Sequence, residues 1–457
     1  MLPYPQWNMP LAGGAMVIAA ISIFHVVIAH FAVGAGIFNA ITEARARRRD
    51  NSILLQFVRD NSIFLIYLAF VAGAISGVGI WFTIGVVAPE ATTYLIRLFV
   101  WFWAIEWVFF AVELAAGYVY YYTWDRLSPR AHIAVGWVYA VSAFLSLVVI
   151  NGILSFMLTP GQWTATGNVW DAWLNPSFWP SLAMRTVSCL ALAGIFAAIV
   201  AAARRKKYDD AARSSVVSWG ARFLIPLALM PLLAAWYFSV MPPSARALAL
   251  GGAVAMTFFF AFGVVLSFLL AVYAYFGMLR KSSARDVNLE TALLMAAIAF
   301  LATASMEFVR EGIRKPYVIM NTMYSHGILV ADTAKLNEEG VLAHAPWIAA
   351  DTVRQQGELV IGKAVYRAEC LRCHEVNGYN AIVPLIQEWN LPLIRSALDH
   401  LDKIKTFMPP FIGTEREKQA LALYLWTLTA EGQARGGELP PLPDDSSDVT
   451  PIPGGTP

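Results

Sequence analysis

Cys370, Cys373 and His374, in the run CLRCH, have the types and spacing of a covalent haem attachment. Two thiols three residues apart can form thioethers to the haem vinyl groups, and a histidine held beside the second can ligate the iron. The same cysteine pair could instead contribute to a zinc site. Cys189, the third cysteine, stands in an apolar run and reads as inert packing, and three cysteines are too few for a disulfide framework. A second set of ionisable residues lies inside long apolar segments, where charge is costly and points to function. These are His25 and His30 in IFHVVIAHFAVGAG, Glu106 and Glu113 in WAIEWVFFAVEL, and Glu307, Arg310, Glu311 and Arg314 in SMEFVREGIRKPY. Five residues place His25 and His30 about 140° apart on a helix, so one suits a ligand and the other a hydrogen-bonding partner or a second face. Glu106 and Glu113 are two turns apart on one face, and Glu307 and Glu311 also share a face. An ion pair with a nearby arginine is the alternative for each carboxylate, and a satisfied core hydrogen bond is the alternative for each histidine. Taken together the set suits a buried iron porphyrin, with a histidine or carboxylate on the metal, arginine on the propionates and glutamates carrying protons.

The elements that must position these residues are membrane helices. Of the 457 residues 58% are hydrophobic and only 14% charged, the composition of a polytopic membrane protein. A net charge of +2 carries no signature of nucleic-acid binding. Runs long enough to cross the hydrocarbon fall near 14–41, 62–88, 94–123, 131–158, 178–203, 217–240, 247–279 and 290–312, which predicts about eight spans. The start, MLPYPQWNMP, has no basic region, and the apolar run after it exceeds a signal-peptide core, so it is expected to stay as the first span. Connections alternate between arginine-rich (EARARRRD, WDRLSPR, ARRKKYDDAAR, LRKSSARD) and those without lysine or arginine. The positive-inside rule puts the basic ones in the cytoplasm and the N-terminus outside. An even number of spans then returns the chain to the outside after Tyr317, the side on which c-type haem is normally attached. The expected organisation is all-α: a membrane helix bundle over 1–320, a linker over 321–354, a small extracytoplasmic helical domain over 355–432, and a disordered tail over 433–457. His326 and His344 in the linker have the chemistry to ligate a group, but exposed loop histidines are more often just solvated.

The segment GKAVYRAECLRCHEVNG resembles the first helix of a class I cytochrome c, and FMPPFIGTEREKQALALYLWTL resembles its methionine loop and last helix. The resemblance implies Met408, stiffened by the two prolines after it, as the sixth iron ligand, which favours reduced iron. Loop packing is the alternative role for that side chain.

Residues 10 to 320 resemble subunit I of the cytochrome bd oxidases. FHVVIAHFAVGAG is similar to that family's first helix, with His25 at its haem-ligating histidine. AIEWVFFAVELAAGYVYYYTWDRL resembles the third helix, with the glutamates one residue closer than is usual there, and HIAVGWVYAVSAFLSLVVINGIL resembles the fourth. REGIRKPY is similar to the Glu-x-Gly-Arg-Gln-Pro-Trp signature, which implies Glu311 as the high-spin haem ligand and Arg314 as the signature arginine. The family holds its low-spin haem b with a histidine where this chain has Arg185, and the opposing methionine position falls near Ala261, with only Met256 nearby. A guanidinium has no lone pair for a metal, so that haem is expected to be absent. The long quinol-oxidising loop is reduced to SVMPPSARALAL, and the family's last span gives way to the haem c segment.

These departures imply a bacterial inner-membrane haem oxidoreductase in which haem c replaces the quinol input. A periplasmic cytochrome c or similar donor would reduce haem c, and oxygen would be reduced at a high-spin haem b paired with a haem d or second haem b, held by Glu311 and His25. Glu106 and Glu113, with Glu307 as a second candidate, would carry protons, and Arg314 would hold propionates. A second bd-like membrane subunit or a homo-oligomer is the expected assembly. The rival expectation is an electron relay between quinone and periplasmic cytochromes without oxygen reduction, and a third is a haem-free membrane anchor.

Overall fold

The computed structural model describes residues 7–345, 347 and 357–436. Eight of its helices are long and apolar enough to span a membrane. We label the elements α1 (Gly14–Arg48), α2 (Ser52–Val87), a short amphipathic α3 (Pro89–Leu98), α4 (Val100–Tyr122), α5 (Pro129–Phe156), α6 (Phe178–Ala203), α7 (Asp210–Val240), α8 (Val254–Met278) and α9 (Leu289–Gly312). All except α3 are spans.

Local chemistry sets several of these boundaries. The side chains of Asn51, Ser128, Asp209 and Asn288 each accept a backbone N–H of the first turn of α2, α5, α7 and α9. Pro129 follows Ser128 at the first helical position. Arg45, Arg47 and Arg48 close α1, where cations suit the negative end of the helix dipole. Two spans start later than expected. The run read as one span from 94 is broken at Phe99, whose φ of −110° and ψ of 28° are not helical, so α3 ends and α4 begins at Val100. The run read from 247 is broken at Gly251, with φ +115°, so α8 begins at Val254. Hydropathy averages over such breaks because they change direction, not polarity.

The chain divides into two compact units. One comprises 20–81 and 95–314 and holds most of the length of every span. Its most enclosed helix is α6, with 67% of its apolar window buried, because ALAGIFAAIVAAA lets neighbouring backbones approach. A Cβ at Gly194 would strike the Gly220 carbonyl on α7, and one at Gly34 would strike the Cys189 carbonyl. Cys189 is fully buried at that contact. Phe258, Phe268 and Leu232 are exposed, as side chains facing lipid should be.

The other unit comprises the described parts of 1–19, 82–94 and 315–457. After α9 comes a two-stranded hairpin, β1 (Tyr317–Ile319) and β2 (Met323–Tyr324), then helix α10 (Thr333–Glu339). Helices α11 (Glu358–Val365), α12 (Leu391–Leu398) and α13 (Glu415–Thr427) follow. Trp426, Tyr366, Val365 and Leu421 form its core, and Leu336, Val341 and Leu342 belong to the same core. The stretch from 321 to 345, expected as a linker, is therefore folded onto this unit, its apolar residues having been too sparse to register as a periodic run. Residues 346, 348–356 and 437–457, which carry the rest of the expected linker and the expected disordered tail, lie outside the described residues.

Candidate functional site

In the second unit, α11 continues through a wider turn, Tyr366–Cys370, into the CLRCH segment. The N–H groups of Cys373 and His374 donate to the Cys370 carbonyl at 3.0 and 2.9 Å, folding the five residues into one turn. Tyr366 donates its hydroxyl to the His374 carbonyl at 2.7 Å, and Asn380 donates its side-chain amide to the Cys373 carbonyl at 2.6 Å. His374 Nδ1 lies 3.1 Å from the Asn380 carbonyl, an acceptor only, so Nδ1 carries the hydrogen and Nε2 keeps its lone pair. Burial, partly opposed by that carbonyl, holds the imidazole below its usual range. Both thiols are free and half-buried. The described residues hold no group of three or more His, Cys, Asp and Glu able to bind a metal ion. Two free thiols and a neutral, oriented imidazole fit a covalent haem.

Met408 is half-buried in the loop before α13. That loop is anchored at its end. Ile412 N–H donates to Glu369, Gly413 N–H to Asn337, and Glu417 accepts from the N–H groups of Val341, Leu342 and Thr414 at 3.0, 2.8 and 2.9 Å. Thr414 and Glu417 form a capping box on α13.

Within this same unit the CLRCH turn is tied to the segments that flank the spans. Arg372, between the two cysteines, pairs with Glu90 of α3 at 2.7 Å and donates to the Ser325 carbonyl at 3.2 Å. Glu375 accepts from Asn8 at 2.9 Å, and Tyr379 N–H donates to the Leu11 carbonyl at 2.7 Å. Asn8 and Leu11 precede α1, Glu90 follows α2, and Ser325 follows α9. His326, expected to be solvated, is 5% exposed, and neither ring nitrogen has a hydrogen-bond partner among the described residues. Burial, then the charges of Arg372 and Lys315, push it down to about 3, so it is neutral. His344 does stay partly exposed, 2.6 Å from Glu339.

In the membrane unit, His25 Nδ1 lies 3.0 Å from the Ser76 hydroxyl on α2. Ser76 already directs its one hydrogen to the Ala72 and Gly73 carbonyls at 2.7 and 3.1 Å. Its oxygen therefore accepts from Nδ1–H, and Nε2 of His25 keeps a lone pair for a metal. Gly77 clears room for the ring, since a Cβ there would lie 3.2 Å from Cε1. His30 turns to another neighbour, with Nε2 3.5 Å from Arg185 on α6.

Glu307 is held by Arg310 at 2.7 Å and by Arg185 at 3.8 Å, so three helices contribute to one buried polar cluster with His30. This is the ion pairing that the sequence left open as the alternative to a proton-carrying role for Glu307. Glu311 pairs with Arg314, which is almost wholly buried while Glu311 itself is half-exposed. Met256 of α8 packs on Gly312 at the end of α9, where a Cβ would fall on its sulfur. Glu106 accepts from Ser146 of α5 at 2.8 Å, and buried Glu113 lies against the hydroxyl of Tyr139, also on α5. Ser76, Ser146, Tyr139 and the Arg185 contact were missed from the sequence, where serines and tyrosines in apolar runs carry no distinguishing pattern.

Comparison with known proteins places these features. Residues 15–240 match the family model for cytochrome bd terminal oxidase subunit I, and residues 357–425 match that for cytochrome c oxidase, cbb3-type, subunit III. Among solved structures, the bd oxidase from Geobacillus thermodenitrificans is similar in fold, with a TM-score of 0.58 and 15% identity over 67% of this chain and 87% of that one. No curated protein matches the chain in sequence.

Proposed function

We propose that this chain, a multi-pass membrane protein similar to cytochrome bd oxidase subunit I with a C-terminal cytochrome c domain, is a haem oxidoreductase that takes electrons from a periplasmic cytochrome c-type donor and reduces oxygen. Bound at Cys370, Cys373, His374 and Met408, and at His25 and Glu311, the haems would supply one-electron transfer and the binding and reduction of oxygen. The observation that carries this reading is the pairing of Arg372 with Glu90 and of Glu375 with Asn8. Through these bonds the covalent-haem turn is built into the segments flanking α1 and α2 instead of hanging on a free tether.

The residues of the membrane unit support the same assignment. Arg185 is committed to Glu307 and His30 and has no lone pair, so its position cannot hold a low-spin haem. The connection between α7 and α8, residues 241–253, is thirteen residues long and holds a short helix, Pro243–Ala247, that runs on in a wider turn over Leu248–Gly252, where a quinol-oxidising loop would have to stand. His25 presents Nε2 because Ser76 occupies Nδ1. Glu106 and Glu113 carry protons along α4 towards the reaction, which consumes them where bulk water is absent. Arg314, beside Glu311, balances propionate or carboxylate charge.

The test is oxygen uptake by the purified protein, with a reduced cytochrome c or artificial one-electron donor in one cell and a quinol in the other. Uptake with the first alone is the expected result, and Glu311→Ala should abolish it. No uptake with either donor, from a preparation that retains its haems, would overturn oxygen reduction and leave an electron relay as the function.

A further inference from the structure

Glu113 lies at one end of a line of polar groups that reaches the arginine-rich end of α1. At that end Glu43 is fully buried, yet it accepts three side-chain donors: Arg47 Nε at 2.7 Å, the Tyr120 hydroxyl at 2.8 Å and His132 Nδ1 at 2.8 Å. Arg47 remains one-fifth exposed and opens the cluster to solvent. His132 Nε2 lies 2.9 Å from the Tyr120 carbonyl, one of the carbonyls left over at the C-terminus of α4. A carbonyl only accepts, so Nε2 must carry a hydrogen. The other ring nitrogen lies 2.8 Å from the Glu43 carboxylate, within reach of a proton passed between the two.

Between Tyr120 and Tyr139 lies a small cavity, walled on its apolar side by Leu65, Ile66, Gly36, Gly117 and Gly136, with Asn39 and Ser62 as its polar residues beside the two tyrosines. It has room for about one water. Asn61 donates to Asn39 at 2.7 Å, which leaves Asn39 Nδ2 and Asn61 Oδ1 with no partner among the described residues, although both side chains are almost completely buried. Buried amides in that state are satisfied by an ordered water. On the far side, Tyr139 reaches Glu113, and Glu106 with Ser146 continues the line two turns along α4.

We infer that this line is the proton uptake route of the protein: protons enter at the Glu43–His132 pair and pass through Tyr120, the cavity water and Tyr139 to Glu113. Each hydroxyl and the water accept one proton from one side and release one to the other, so one proton leaves at Glu113 for each that enters, and every member returns to its starting state. This rests on the reading of Glu106 and Glu113 as proton carriers and adds the side from which they are supplied, the basic end of α1. A purely structural role, in which Glu43 only ties α1, α4 and α5 together, predicts that isosteric changes along the line leave proton movement untouched.

The test uses the full-length protein with its haems, without turnover. The Glu113 carboxyl band is identified in the infrared by its loss in Glu113→Gln, and its shift after transfer to D2O times hydrogen exchange at that residue. Tyr139→Phe, Asn39→Leu and Glu43→Gln should each slow the exchange by about a hundredfold, the lower end for a lost proton-transfer group. Arg59→Gln, at an exposed pair with Asp125, should not. If Glu43→Gln fails to fold, Tyr139→Phe, which keeps the ring and its packing, decides. Unchanged exchange in Tyr139→Phe and Asn39→Leu, equal slowing in Arg59→Gln, or no protonated Glu113 band at any pH at which the protein stays folded would overturn the route. Exchange consumes no oxygen, so this outcome is separable from failure of the oxidase reading.

Discussion

Cys370, Cys373 and His374 are brought together by a single turn, with two backbone hydrogen bonds to one carbonyl, whereas His30, Arg185 and Glu307 meet only because α1, α6 and α9 pack together. The two regions assemble reactive groups on different length scales. The turn needs only its own backbone and the Asn380 carbonyl to orient its imidazole. The membrane cluster needs the whole unit, because each buried charge there is tolerable only while its partner on another helix stays in place. Damage to the first should therefore remain local, and damage to the second should spread.

That contrast can be broken in several ways. The largest effect belongs to the double change Cys370→Ser with Cys373→Ser: covalent haem and oxygen uptake driven by a cytochrome c donor should be lost completely, while non-covalent haem extracted with acidified solvent stays at its original amount. Loss of the extractable haem as well would show that the two regions are not independent. Next, Glu307→Gln should destabilise the membrane unit by about 3–5 kcal/mol, since it strands Arg185 and Arg310 in a buried site. Arg185→Leu should cost less, because Glu307 retains Arg310. Denaturation of the two variants in detergent would sharpen the point, and the reverse order would contradict the pairing.

Smaller effects are expected in the C-terminal unit. Glu417→Ala leaves the N–H groups of Val341, Leu342 and Thr414 without their acceptor and should cost roughly 3 kcal/mol. Hydrogen exchange of α13 in the full chain would report it, with exchange in α6 unchanged. Thr414→Ala removes only the capping hydroxyl and should cost about 1 kcal/mol by the same measurement.

The legibility of the molecule follows this division. CLRCH could be read because its chemistry lies within five residues, and the eight spans could be read because lipid demands about 20 apolar residues in a row. Glu307 with Arg310 was within reach as a pair three residues apart on one helix. Ser76 beneath His25, Tyr139 beside Glu113, and the Glu43–His132 pair were not, since each joins residues dozens of positions apart. His326 was misread for a related reason: its exposure depends on Arg372 and the folded 321–345 stretch, which no local pattern announces.

The sequence alone determined that this is a chain of membrane helices followed by a cytochrome c segment with a CLRCH motif, because apolar length and a contiguous motif are properties of neighbouring residues. Only the tertiary structure decided which carboxylates are locked in ion pairs, which nitrogen each histidine presents, and where the line of polar groups from Glu43 to Glu113 runs. Those depend on the rotation and crossing of packed helices, and a hydropathy pattern that is apolar on nearly every face contains no record of either.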